Sequence, residues 1–263
     1  MSLSSVSAVP HQSWVRQIMG LPISVHVRGP DARSDLVARR VERMYDELRA
    51  VDALFSTYSP TSAVSRINRG ELALEDAGIV VDEVVRLCRI ARERTDGCFD
   101  AWLPDGKGGT WFDPSGLVKG WAVERAARRL NLIDGHDFAV NAGGDILLRR
   151  QVPGTQPWRV GIEDPDSPDR VLLVVPLESG AVATSGSAHR GSHIVDPRTG
   201  KAAGDARAVT VVGPSLLWAD VFATAAVVQG AGALAWLEAL SGYEGLVVRD
   251  GTVATTSGFP AHS

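Results

Sequence analysis

The chain has 263 residues, of which 44% are hydrophobic and 22% charged, so a folded protein with a sizeable core is expected and extensive disorder is not. Lys and Arg total 27 against 31 Asp and Glu, and this net charge of −4 excludes the strongly basic surface typical of nucleic-acid binding. Two cysteines, Cys88 and Cys98, are too few to indicate a disulfide framework. Residues 1–14 contain neither a basic start nor an apolar run, and we expect no signal peptide, no membrane span and a cytoplasmic location.

The predicted elements fall into blocks. After a flexible leader over residues 1–14, one domain over residues 15–263 opens with a strand at 18–27 that contains an irregular step. Helical spacing of apolar residues predicts helices from Asp35 to Val51 and from Asp82 to Arg94, and glycines and a proline predict a mobile loop over 102–111. A helix follows Pro114, and short strands are predicted between 138 and 212. Two further helices, 216–229 and 231–240, and a strand pair at 245–255 close the chain. This order favours an α+β fold with mixed or antiparallel sheets over a doubly wound parallel one.

Several common catalytic signatures are missing. The sequence has no Gly-x-Gly-x-x-Gly at a helix start and no phosphate-binding Gly-x-x-x-x-Gly-Lys-Ser/Thr. It has no His or Cys pairs at the spacing of zinc ligands, and the segment Ser185–His189 lacks the Gly-x-Ser-x-Gly of a hydrolase nucleophile. The familiar nucleotide-binding loops and serine hydrolases are therefore disfavoured.

Two polar segments could face a phosphate. Asp113 and Lys119 bracket a predicted helix start, where N–H groups and the helix dipole attract an anion and the lysine adds a charge. Asp113 as a helix cap and Lys119 in solvent explain the same residues. The segment Asn141–Asp145 follows a strand, and its paired glycines permit either a tight turn or a close approach of a ligand to the backbone.

Two further segments carry groups suited to catalysis. His193 ends a predicted strand beside Asp196 and Arg198, and an imidazole can accept a proton from a hydroxyl near neutral pH. Asp220 and Thr224 are four residues apart, so they share one face of a predicted helix and offer the oxygen ligands that magnesium prefers. Two alternatives remain open: a structural role for His193, and a helix-capping acid and a core threonine in the case of Asp220 and Thr224.

In this order, the segments resemble the ApbE family, the FAD:protein FMN transferases, from Met19 to about Gly230. The resemblance rests on eight segments: Phe55–Tyr58, Ser65–Asn68, Gly97–Asp100, Asp113–Gly120, Asn141–Asp145, Thr184–Gly186, His193–Gly200 and Asp220–Thr224. It implies an ApbE-like, T-fold-related α+β architecture with the active-site cleft between two subdomains.

The resemblance also implies roles for individual residues. His193 would be the catalytic base, and magnesium, or manganese in its place, would be held by Asp220, Thr224 and the carbonyl of Gly116. The residues expected to bind FAD are Met19, Tyr58, Phe99, Asp100, Ala101, Asp113, Lys119 and Ile194.

The activity implied is magnesium-dependent transfer of FMN from FAD to a Ser or Thr hydroxyl of an acceptor protein, which gives a phosphoester-linked flavin and AMP. Attack by water would make the same site an FAD pyrophosphatase, and a protein that only binds FAD is a further alternative. A non-catalytic scaffold is disfavoured, because it would need no set such as His193, Asp220 and Thr224. The chain departs from family members exported as lipoproteins, since no lipobox cysteine is visible, and its 102–111 segment is unusual.

Overall fold

The computed structural model describes residues 9–106, 108–186, 194–203 and 206–260. Its α-helices are α1 Asp35–Phe55, α2 Ala63–Asn68, α3 Ile79–Arg94, α4 Ser115–Ala127, α5 Leu216–Gln229 and α6 Ala233–Glu238. Its strands are β1 His11–Ile18, β2 Leu21–Arg28, β3 Trp102–Pro104, β4 Thr110–Phe112, β5 Asp137–Ala142, β6 Asp145–Arg149, β7 Trp158–Asp164, β8 Ser167–Leu177, β9 Gly180–Gly186, β10 Val195–Asp196, β11 Lys201–Ala202, β12 Ala208–Gly213, β13 Glu244–Arg249 and β14 Thr252–Thr255.

One eight-stranded sheet organises the molecule, with strand order β1-β2-β5-β6-β9-β12-β13-β14 and antiparallel pairing throughout. Because side chains alternate along a strand, Val140 and Ala142 of β5 join the core under the helices, whereas Ala139 joins a smaller core on the opposite face. Residues of the separate β7–β8 hairpin, such as Val175, complete that smaller core. The α+β fold with antiparallel sheets expected from the sequence is confirmed.

The N-terminal strand prediction needs correction. Instead of one irregular strand over 18–27, β1 and β2 form a hairpin whose two turn residues, Met19 and Gly20, both have positive φ, 58° and 73°. In a two-residue hairpin, a turn with positive φ at both central residues has a twist that matches the twist of the flanking strands. Glycine adopts positive φ without strain. Trp14 pairs with Val25 inside this hairpin, so residues 11–14 belong to the sheet and not to a flexible leader.

The segment 102–111, expected to be a mobile loop, instead contains the β3–β4 hairpin, although Lys107 lies outside the described residues. The Trp102 and Phe112 rings pack with centroids 5.1 Å apart. The Asn68 side chain of α2 donates to the Phe112 carbonyl at 2.8 Å and accepts from the Phe112 N–H at 2.9 Å. This pair of bonds satisfies the outer edge of β4, which explains why the glycines do not leave the segment unstructured.

Helix α5 has the bounds predicted from the sequence and lies at the centre of the helical layer. The Ser215 hydroxyl caps it by accepting from the Trp218 N–H at 3.3 Å. The stretch Leu216–Glu238 is long and apolar enough to cross a membrane, contrary to the expectation that no stretch would be, but 67% of its most apolar window is buried inside the fold. A helix that is apolar on all sides is typical of such a core position.

Candidate active site

The contact between α4 and α5 sets the geometry of the site. A Cβ added to Gly120 of α4 would lie 2.8 Å from Leu217 Cα and 2.9 Å from the Leu216 carbonyl oxygen, so the two helix backbones approach as closely as glycine allows. One turn further along α4, the Glu124 carboxylate accepts hydrogen bonds from the N–H groups of Leu216 and Leu217 at the start of α5. The start of α5 therefore packs against the Gly120–Glu124 part of α4.

This packing brings three charged side chains together. The Lys119 ammonium forms an ion pair with Asp145 Oδ2 at the start of β6 and lies 3.6 Å from Asp220 Oδ1 on α5. The Asp145 and Asp220 side chains are 1% and 4% exposed, whereas that of Lys119 is 23% exposed. Buried carboxylates require compensating positive charge, and the Lys119 ammonium contributes to it for both Asp145 and Asp220. The cluster therefore joins α4, α5 and β6 through charged side chains.

Hydroxyl groups from β9 and β12 continue the polar surface. Ser185 Oγ lies 2.9 Å from Thr224 Oγ1, one turn after Asp220 on α5. The neighbouring Thr184 donates its backbone N–H to Asp145 Oδ1 at 3.1 Å, and its hydroxyl lies 2.8 Å from that of Thr210. The end of β9 therefore touches both the carboxylate group and Thr224.

The donor set fits a hard divalent cation. Asp220 and Thr224 provide a carboxylate and a hydroxyl on one face of α5, and Gly116 lies on α4 one turn before Lys119. Within the described ranges no group of three or more His, Cys, Asp or Glu could hold a metal. Magnesium is commonly held by one or two carboxylates, with water and substrate phosphates as the other ligands, so this sparse set suits it better than zinc.

The segment 97–101 reaches the same helix start. The ring of Phe99 lies 3.2 Å from the position a Cβ would take at Gly116, and the Asp113 N–H donates to the Ala101 carbonyl at 2.7 Å. Asp113 Oδ1 in turn accepts from the Ser115 N–H at 3.0 Å. The structure therefore brings Phe99, Ala101 and Asp113 together at the beginning of α4.

The Asp100 carboxylate contacts residues away from the start of α4. Its Oδ2 pairs with Arg92 Nε at 3.0 Å and its Oδ1 accepts from the Trp102 N–H at 2.9 Å. These contacts hold the turn between α3 and β3. A direct contact of Asp100 with FAD stays a prediction.

Met19 and Tyr58 both lie near the C-terminal end of α1. The Met19 N–H donates to Asp52 Oδ2 at 3.2 Å, and Tyr58 follows the end of the helix with 96% of its surface exposed. The β1–β2 turn that contains Met19 lies beside the β5–β6 turn, because the Gly143 N–H donates to the Pro22 carbonyl at 3.3 Å. Asp145 directly follows that second turn. Met19 therefore lies at the same end of the strands as the Asp145 carboxylate. The exposed Tyr58 ring is available to a ligand.

His193, the expected catalytic base, lies outside the described residues. The next residue, Ile194, is half-buried against the helix-side core, and its carbonyl accepts from the Ala203 N–H at 2.8 Å. Beyond it, the Arg198 side chain passes 3.8 Å from the Cβ position of Gly97, while its guanidinium forms two bonds, 2.9 and 3.0 Å long, to the Asp196 carboxylate. The segment that follows His193 thus covers the 97–101 turn at the beginning of the site.

Two residues of this site were not among those proposed from the sequence. Asp145 was predicted to belong to a segment that forms either a tight turn or a ligand site, without a role of its own, although its carboxylate reaches Lys119. Ser185, which contacts Thr224, was given no role. The available signal was their place in the short polar segments Asn141–Asp145 and Thr184–Gly186, each at one end of a strand.

Comparisons with known proteins agree with this arrangement. The model of the ApbE family matches residues 19–105 and 101–247. The FAD:protein FMN transferase of Vibrio cholerae is 34% identical over 131 residues, which are 46% of this chain and 39% of that protein. The FAD:protein FMN transferase of Salmonella typhimurium is 32% identical over 138 residues, 49% of this chain and 38% of that protein. The alignments thus span about two fifths of the length of these relatives.

Solved structures extend the likeness over nearly the whole chain. The flavin transferase ApbE of Vibrio cholerae superposes with a TM-score of 0.79 at 23% identity, covering 95% of this chain and 98% of that one. The ApbE protein of Thermotoga maritima gives a TM-score of 0.78 at 22% identity, covering 94% and 97%. These two structures establish the fold. Because the family model also matches most of the sequence, the chain belongs to the ApbE family.

Proposed function

We propose that this protein transfers FMN from FAD to a Ser or Thr hydroxyl of an acceptor protein, with magnesium as cofactor and AMP as the leaving product. The relatives named FAD:protein FMN transferase support the reaction class. The observation that carries the proposal is the contact between Lys119, Asp145 and Asp220, a cation between two buried carboxylates beside the Thr224 hydroxyl. Such a set can bind a divalent cation and a diphosphate side by side.

In this proposal Asp220, Thr224 and the Gly116 carbonyl hold magnesium, or manganese in its place. The bound ion supplies Lewis acidity and neutralises charge on the diphosphate of FAD. Lys119 adds a positive charge for a phosphate oxygen, and its side chain is partly exposed to solvent. The exposed Tyr58 and the Met19 turn provide the contact surface for the flavin or the adenine ring.

The transfer step needs a proton acceptor. The acceptor hydroxyl oxygen forms a bond to the FMN phosphorus while the bond from that phosphorus to the bridging oxygen breaks, and AMP carries that oxygen away. The hydroxyl proton passes to the imidazole of His193, which follows from the family resemblance. Water in place of the hydroxyl would yield free FMN and AMP.

The experiment is incubation with FAD, magnesium and a candidate acceptor, followed by intact-mass measurement of the acceptor. A covalent FMN increment that disappears when the acceptor Ser or Thr is replaced by Ala supports the transferase. Release of AMP with no labelled acceptor supports the pyrophosphatase. Asp220→Asn should abolish turnover, whereas Asp166→Asn, which removes a surface ion pair with Arg207, should not. No binding of FAD by the wild-type protein would rule out both activities.

A further inference from the structure

We propose that Ser185 is a positioning residue for the metal site. By accepting the proton of the Thr224 hydroxyl, it keeps that hydroxyl from pairing with its own helix and so leaves the Thr224 oxygen available to a divalent cation. This inference rests on the proposed function, because it concerns the same metal site. Ser185 acts on the metal through Thr224 and need not be a ligand itself.

A threonine in a helix has two competing orientations for its hydroxyl. The hydroxyl can donate to the backbone carbonyl one turn earlier, or it can turn away from that carbonyl toward another element. Thr95, which follows α3, takes the first orientation, because its Oγ1 donates to the Ala91 carbonyl at 2.8 Å. Thr224 of α5 makes no bond of that kind among the residues that the structure describes, and its Oγ1 lies 2.9 Å from Ser185 Oγ. The contact with Ser185 therefore favours the second orientation.

The direction of this hydrogen bond decides what Thr224 can do. A hydroxyl has one proton to donate and two lone pairs that accept. An oxygen that binds magnesium or manganese uses a lone pair, so its proton needs an acceptor elsewhere. Ser185 Oγ lies at hydrogen-bond distance to be that acceptor. When the Thr224 proton is donated to Ser185, both lone pairs of the Thr224 oxygen remain available.

Strand β9 fixes Ser185 beside α5. Because side chains alternate along a strand, Ser185 shares a face with Ala181 and Ala183, which are fully buried in the core under the helices. The next residue, Gly186, lies so close to β12 that an added Cβ would collide with the Arg207 carbonyl oxygen. This close pairing holds the end of β9 in place, so the Ser185 hydroxyl stays within reach of α5.

The test measures Mn²⁺ binding to the protein without FAD, by the loss of the free Mn²⁺ electron paramagnetic resonance signal. We expect Ser185→Ala to weaken binding about tenfold, as is typical when a residue that orients a metal ligand is lost. In the Thr224→Val background the same substitution should change the Kd by less than about twofold, because no hydroxyl is left to orient. Ser13→Ala, in the exposed strand β1, is the matched control and should bind Mn²⁺ as wild type does.

A crystal structure of Ser185→Ala shows the orientation directly. We expect Thr224 Oγ1 to lie within about 3 Å of the Asp220 carbonyl oxygen, the orientation that Thr95 adopts. An unchanged Thr224 in that structure, or an equal loss of Mn²⁺ affinity in both backgrounds, would mean that Ser185 is a ligand itself or supports the local fold, and would overturn the inference. An unchanged Kd for Ser185→Ala would also refute it while leaving the proposed function intact. Absence of Mn²⁺ binding by wild type would instead remove the metal site, and both proposals would fall together.

Discussion

Replacing Gly120 with alanine should separate α4 from α5 and destabilise the protein. The new Cβ would lie 2.8 Å from Leu217 Cα and 2.9 Å from the Leu216 carbonyl oxygen, and carbon atoms prefer about 3.5–4.0 Å. Both obstacles are backbone atoms that cannot rotate away, so the helices must move apart by about 1 Å. Overpacking of this kind costs about 1–3 kcal/mol, against which alanine recovers up to ~1 kcal/mol of helix propensity. We expect the free energy of unfolding to fall by about 1–2 kcal/mol.

Urea denaturation of Gly120→Ala measures this loss, with Gly232→Ala as the matched control. Gly232 has a φ of −80° and no neighbouring atom within 4 Å of its Cβ position, so alanine fits there without displacement. We also expect weaker Mn²⁺ binding by Gly120→Ala only, because the movement would separate Gly116 on α4 from Asp220 and Thr224 on α5, the residues proposed to hold the metal. A Gly120→Ala protein as stable as the control would refute the close-packing argument.

Three further predictions follow from other contacts. Glu124→Ala should lower the free energy of unfolding by about 1–2 kcal/mol in urea denaturation, because it removes the carboxylate that caps the α5 N–H groups. Glu124→Gln keeps an acceptor oxygen without the charge and should lose less, and a Glu124→Gln protein as stable as wild type would contradict a charge-assisted cap. Burial alone would raise the pKa of Asp137, but hydrogen bonds from two backbone N–H groups, a threonine hydroxyl and Arg28 outweigh it and lower that pKa. Because the folded-state pKa is the lower one, the ionised carboxylate stabilises the fold at pH values above the unfolded-state pKa of about 3.9. This stabilisation is lost as the pH falls through the folded-state pKa. Asp137→Asn should therefore cost about 3 kcal/mol at neutral pH, and its difference from wild type should shrink below about pH 4; a constant difference would refute the ionised pair. Burial raises the pKa of Cys88 to about 12, so mass spectrometry should show no alkylation of this thiol at pH 8 until the protein is denatured, and labelling of the native protein would contradict its burial.

The sequence predicted those helices and strands that are determined by residues close together in the chain. Helix α5 was predicted with the bounds 216–229 that it has in the structure, where Ser215 caps its first turn. The Met19–Gly20 turn was missed, because a methionine at positive φ leaves no sequence signal of its own. The β3–β4 hairpin was missed for a different reason, since Asn68, which satisfies its edge, lies 44 residues earlier in the chain.

In the candidate site, too, residues placed by local spacing were predicted and residues placed by tertiary packing were not. Asp220 and Thr224 were predicted as a pair because helical spacing alone puts them on one face, and Lys119 was predicted from its position after a helix start. The contact between Asp145 and Lys119 could not be predicted, because it depends on the packing of α4 against α5 at Gly120 and on the pairing of β6 with β9. Sequence patterns identified the polar segments but could not indicate which side chains touch.

A crystal structure of the protein with Mn²⁺ and FAD tests the central claim most directly. The account predicts an anomalous manganese peak within about 2.2 Å of oxygens of Asp220 and Thr224, with the FAD diphosphate bound to it and to Lys119. A diphosphate bound elsewhere on the protein, with Asp220 and Thr224 contacting no metal, would contradict it.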